Sequence, residues 1–173
     1  MQNIVLIGMP SCGKSTLGVL LAKQLGYGFI DTDLLIQSTA GKLLHEIIEE
    51  RGIDGFLALE NRVNSSVLAT RCVISTGGSA VYGREAMAHL SSGGCVVYLK
   101  IDYPTLVTRL GDYSHRGVIL PKGQSLLEMY EERSRLYEQY ANITVEEAQA
   151  DTMSKALEKI TAEYGNFCKE NEG

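Results

Sequence analysis

The sequence predicts an α/β fold built on a parallel sheet. Two observations carry this: short apolar runs alternate with longer segments of helical period, and a glycine-rich turn links the first such run to the first helix. The chain has 173 residues, 45% of them hydrophobic, which suffices to bury one core without disulfides or metals. A single domain over residues 1–173 is therefore expected.

Ile4 to Ile7 forms the first strand. Leu17, Leu20, Leu21 and Leu25 then keep the three-to-four spacing of an amphipathic helix, which Gly26 ends. Gly28 to Asp31, Cys72 to Thr76 and Cys95 to Ile101 follow as strands, rich in Val, Ile or aromatic residues and too short for buried helices. Ile143 to Val145 is a weaker fifth. Met153, Ala156, Leu157, Ile160 and Tyr164 repeat the helical stripe, so a terminal helix packs down and only the polar tail after it frays. Residues 111–124 hold Gly111, Gly117, Pro121 and Gly123 among polar residues. They read as a long loop, either a surface connection or a lid placed to close over a ligand beyond the fourth strand.

The net charge of −5 leaves no electrostatic footprint for nucleic acid. Nothing approaches the uninterrupted apolar length of a membrane span, and no signal-like stretch opens the chain. Cys12, Cys72, Cys95 and Cys168 form no CxxC pair, which suits a reducing compartment. A soluble, cytoplasmic monomer with no nucleic-acid or membrane partner is expected.

Gly8-Met9-Pro10-Ser11-Cys12-Gly13-Lys14-Ser15-Thr16 fits GxxxxGKS/T, the Walker A phosphate loop, in the strand-to-helix setting that makes this motif specific. Gly8 and Gly13 let the backbone turn and approach a nucleoside triphosphate, with successive N–H groups and the helix N-terminus aimed at phosphate oxygens. Lys14 adds a movable charge, and Ser15 offers a hydroxyl to the Mg²⁺ that accompanies the triphosphate. Thr16 should lie near the α-phosphate, and Met9, Pro10, Ser11 and Cys12 complete the loop. Cys12, beside a lysine and a helix N-terminus, is either a reactive thiol or a small loop residue.

Asp31-Thr32-Asp33 ends the second strand, at the sheet edge where ligands collect. Strand alternation would send both carboxylates to one side, one reaching the metal through water and the other accepting the proton of an acceptor hydroxyl. The structural alternative is that Asp33 caps a helix starting near Leu34.

These residues resemble the shikimate kinase family of P-loop kinases. The likeness runs from the phosphate loop through Ile30 to Asp33, Gly52 to Glu60, Val73 to Gly78, Val96 to Leu99, Arg109, Arg116 and Glu132-Arg133 to Leu136-Tyr137. It implies a P-loop NTPase-type three-layer fold: a five-stranded parallel sheet in the order 2-3-1-4-5, helices on both faces, a lid at 111–124 and a helical substrate-binding region at 33–62. It implies ATP-dependent transfer of the γ-phosphate to a hydroxyl of shikimate, with Mg²⁺. By the same resemblance Asp33 is the catalytic base, and Asp31 assists the metal through water. Gly77 and Gly78 present backbone groups to the substrate. Arg109 stacks on adenine, Arg116 reaches the transferring phosphate from the lid, and Arg133 clamps the substrate carboxylate.

The chain departs from the family pattern around the substrate. Leu57 stands where the family carries a second carboxylate-binding arginine, and helical projection puts it beside Asn61 and Asn64, still facing the pocket, with Phe56, Leu59, Val63 and Val67 as the core stripe. Ser79 replaces the third glycine of Gly-Gly-Gly, Gly117 the proline after the lid arginine, and Arg135 a proline after Arg133. Loss of one bidentate carboxylate contact lowers affinity by about ten- to a hundredfold. Three readings follow: a shikimate kinase in which Arg135 or Arg62 compensates, a kinase of another polyol, sugar acid or cyclitol, and a non-catalytic nucleotide-binding module.

Overall fold

The computed structural model describes residues 2–111, 118–146 and 153–170. The chain runs β1 (Asn3–Gly8), α1 (Lys14–Leu25), β2 (Gly28–Asp31), α2 (Thr32–Ala40), α3 (Leu44–Ser65) and β3 (Cys72–Ser75). A 3₁₀ turn (Ala80–Tyr82) leads to α4 (Arg84–Gly93), β4 (Gly94–Lys100), α5 (Tyr103–Leu110), α6 (Leu126–Tyr140), β5 (Ile143–Glu146) and α7 (Met153–Glu170). All five strands are parallel, in the order β2-β3-β1-β4-β5. Ile4 in the centre lies opposite Val73 on one side and Cys95 on the other.

The central strands read as unbroken apolar runs because both faces of the sheet are covered. α1 and α7 pack together on one face, and α4 and α6 pack on the other. Every residue of β1 and β3 is buried, whereas edge strand β2 is half-exposed. Gly26 closes α1 as its C-cap, and Leu17 and Leu21 are buried, but Leu20 is 40% exposed. Ile160 and Tyr164 anchor α7, while Met153 lies outside the stripe and is exposed. No helix among the described residues is long and apolar enough to cross a membrane.

A second, smaller core lies under α2 and α3, built from Ile36, Ile47, Phe56, Leu59, Val63 and Ile119. It steadies the segment between β2 and β3. Within α3, Gly52 leaves helical geometry with φ 70° and ψ 177°, so the element is two helical pieces joined at a hinge only glycine adopts freely. Ile119 belongs to the expected lid segment, yet it is 3% exposed and packed into this core. The described part of that segment is therefore tied to α3. Arg116 and Gly117 lie outside the described residues.

Candidate active site

The phosphate loop has the expected form. Gly8 and Gly13 take positive φ (146° and 88°), and Ser11 does so as well (60°) despite its side chain. Met9 is wholly buried and Cys12 nearly so, hence only the backbone of Met9 can face a ligand. Lys14 is folded onto the loop: its Nζ donates to Gly8 O at 2.9 Å, Met9 O at 2.8 Å and Cys12 Sγ at 3.6 Å. These contacts hold the ammonium where phosphate oxygens would replace the carbonyls.

The two aspartates divide the work that the sequence leaves open. Asp31 caps α2, accepting from the Asp33 backbone N–H at 3.0 Å, and its other oxygen accepts from Ser15 Oγ at 2.6 Å. The helix begins at Thr32, one residue after the strand, so Asp33 sits in its first turn. Because the helix starts between them, it is not strand alternation that sets where the two carboxylates point, although Asp31 stays close enough for its charge to act on Asp33. Asp31 rather than Asp33 is the cap, because its extended backbone lets the carboxylate fold back onto the amide two residues on. That leaves the Asp33 carboxylate for the cavity. Burial, and then the Asp31 charge, raise it to about 6, with Lys14 opposing.

One cavity of about 530 Å³ joins these parts. Pro10, Ser11, Gly13, Lys14, Ser15 and Thr16 line its phosphate end, with Arg109 on the rim. Asp33, Gly77, Gly78, Phe56 and Arg133 line the other end. Arg109, exposed in the last turn of α5, also borders an adjoining hollow formed with Lys100, Asp102 and Tyr130. Arg133 is 1% exposed; its Nη2 donates to Ile119 O at 2.6 Å, and its guanidinium lies over the Tyr82 ring at 5.4 Å. The fork is thereby fixed before a ligand arrives.

Leu57 does not line this cavity. It sits half-buried in a separate hollow with Asn61, Tyr82, Gly83, Arg84 and Glu85, where an apolar side chain meets apolar neighbours of the second core. Phe56, read from sequence as core alone, reaches the cavity from α3, as does Leu44 at the start of that helix. The two candidate compensators are also elsewhere: Arg62 is exposed away from the lining, and Arg135 borders a hollow with Glu132 and Gln139.

Sequence reasoning named three further contributors without giving any of them a contact in the site. Glu60, one turn after Phe56, is 2% exposed, and burial raises its carboxyl to about 7. A charge inside the Phe56–Leu59–Val63 stripe is the signal that marks it. Ser79 lines the cavity and donates to Glu60 Oε2 at 2.6 Å. Tyr137, fully buried on α6, donates to Gly78 O at 2.6 Å and so orients the glycine loop. A side chain on Gly77 would stand 2.6 Å from Glu60 Oε1 and 2.7 Å from Asp33 Oδ1, so that position has room only for hydrogen.

A family model described as shikimate kinase matches residues 10–165. A shikimate kinase from Gloeobacter violaceus is 43% identical over 141 residues, 79% of this chain and 79% of its own length. Shikimate kinase 2 from Yersinia pseudotuberculosis is 32% identical over 169 residues, 94% of this chain and 97% of its own. Among solved structures, a shikimate kinase from Acinetobacter baumannii in complex with shikimate matches with a TM-score of 0.80 at 28% identity, covering 99% of this chain and 95% of that one.

Proposed function

The chain belongs to the shikimate kinase family, kinases that phosphorylate a hydroxyl group, and from that we propose that it moves the γ-phosphate of ATP to the 3-hydroxyl of shikimate. The observation that carries this reading is the single cavity in which a Walker A loop, a free carboxylate on Asp33 and a buried guanidinium on Arg133 meet. In it Asp33 orients the acceptor hydroxyl and takes its proton, and Lys14, released from its loop carbonyls, balances charge on the phosphate oxygens. Gly77 and Gly78 give the acceptor backbone contacts, Arg133 takes its carboxylate, and Arg109 stacks on the adenine. Arg116 would add a charge at the transferring phosphate.

The Ser15 hydroxyl and Asp31 carboxylate fit Mg²⁺, since both are hard oxygen donors and lie 2.6 Å apart at the mouth of the phosphate loop. Ser15 would hold the ion directly and Asp31 through water, and the ion supplies charge neutralisation at the β and γ oxygens. The same reading has the chain work as a cytoplasmic monomer on two small molecules. The net charge of −5 supports the exclusion of nucleic acid.

A second reading is favoured by one observation. Leu57 lies outside the cavity, and neither Arg62 nor Arg135 lines it, so Arg133 is the acceptor end's cation among the described lining residues. That arrangement suits an acceptor without a carboxylate, a polyol or cyclitol, or a sugar acid whose carboxylate Arg133 alone can hold. Following ADP release with MgATP and shikimate, quinate, gluconate and inositols separates the readings. Release with shikimate at least tenfold above the rest is expected. Release with gluconate or an inositol but not shikimate selects the second reading, and none with any acceptor overturns the kinase assignment.

A further inference from the structure

Ser79 carries the only hydroxyl in the run Gly77-Gly78-Ser79-Ala80, and it opens onto the acceptor end of the cavity. Its partner is unusual. Glu60 comes from α3, is 2% exposed, and accepts a hydrogen bond from Ser79 Oγ on its Oε2 at 2.6 Å. The other oxygen, Oε1, is buried without a hydrogen-bond partner beside Gly77. Ser79 itself is 6% exposed, so its hydroxyl cannot turn freely into solvent.

A serine hydroxyl has one proton to give and two lone pairs with which to accept. Here the proton is committed to a buried carboxyl, and breaking that bond would strand the carboxyl oxygen away from water. When Glu60 takes up a proton of its own, partnerless Oε1 can hold it, and Oε2 continues to accept from Ser79. In both states the face that Ser79 turns to the cavity is acceptor-only. It attracts an O–H or N–H of the ligand and repels a carboxylate, carbonyl or ether oxygen.

We propose that Ser79 is a specificity-determining residue of this chain, whose hydroxyl, oriented by Glu60, accepts a hydrogen bond from an acceptor hydroxyl other than the one phosphorylated. The proposal rests on the kinase reading above, and it deepens that reading by naming a second hydroxyl that the site reads. Glu60 is the positioning residue. Because Ser79 stands where the family pattern has glycine, the contact goes beyond that pattern and adds acceptor affinity at the end that lacks the second arginine.

The test compares wild type, Ser79→Ala and Ser79→Thr on shikimate and on its 4-deoxy and 5-deoxy analogues. Ser79→Ala is expected to raise the acceptor KM about five- to tenfold while the MgATP KM stays within twofold, which also shows that the variant is folded. Ser79→Thr, which keeps the hydroxyl, restores the acceptor KM. For one deoxy analogue the wild type and Ser79→Ala have the same KM, identifying the hydroxyl that Ser79 takes. An unchanged shikimate KM in Ser79→Ala, or an equal penalty on shikimate and both analogues, overturns the proposal. Should wild type release no ADP with shikimate, the shikimate reading fails separately. The same comparison, run on the polyol of the panel that is turned over and on its deoxy forms, then decides Ser79.

Discussion

Burial raises two carboxyls in this molecule, and each shift makes the fold less stable at neutral than at acid pH. Asp33, raised to about 6, is ionised at neutral pH yet basic enough to receive a hydroxyl proton. Asp33→Asn is expected to lower kcat by about 10²- to 10⁴-fold with MgATP affinity within twofold, measured by turnover and nucleotide titration. Glu60 is raised from 4.5 to about 7. Between those values the folded state holds a proton that the unfolded state has lost, so stability falls as pH rises through the window. Glu60→Gln keeps an acceptor for Ser79 and removes the buried charge. It should stabilise the protein by on the order of a few kcal/mol at pH 8, with the gain shrinking toward pH 4.5, as thermal melting at the two pH values would show. The stability given up by the native glutamate is what a fixed polar floor under the acceptor costs.

At the scale of the element, α3 decides how the substrate region meets the sheet. Its break at Gly52 has ψ 177° at positive φ, a combination essentially restricted to glycine, and no atom crowds the missing side chain. Gly52→Ala therefore probes the backbone alone. A loss of about 1–3 kcal/mol is expected in urea denaturation, with an unchanged m-value and an unchanged MgATP KM. Periodicity made the elements legible: the strands lie within a residue or two of their sequence bounds, and Phe56, Leu59, Val63 and Val67 are buried as projected. What periodicity cannot give is the neighbour each face meets. Leu57 lies at the angle expected, but the chain around Tyr82–Glu85, not the cavity, occupies that side. Alternation fails at Asp31 and Asp33 for a similar reason, since strand gives way to helix between them and changes the rule for where side chains point, which makes Asp31 rather than Asp33 the cap.

For the molecule as a whole, the phosphate side was readable because one contiguous motif builds it, whereas the acceptor side is assembled from α2, α3, the loop after β3 and α6. Glu60 with Ser79, and Tyr137 with Gly78, are pairs that only the folded chain creates. The strand order β2-β3-β1-β4-β5 has a consequence for synthesis as well. Of these five strands the first to leave the ribosome is the middle one of the sheet, and its partners are β3 and β4. At ~5–20 residues per second, roughly 5–20 s separate the appearance of Ile4 from that of Cys95 opposite it. Until β3 appears the nascent chain displays a strand apolar but for Asn3 with both hydrogen-bonding edges open, and until β4 appears one edge stays open, the kind of surface that chaperones of emerging polypeptides shield.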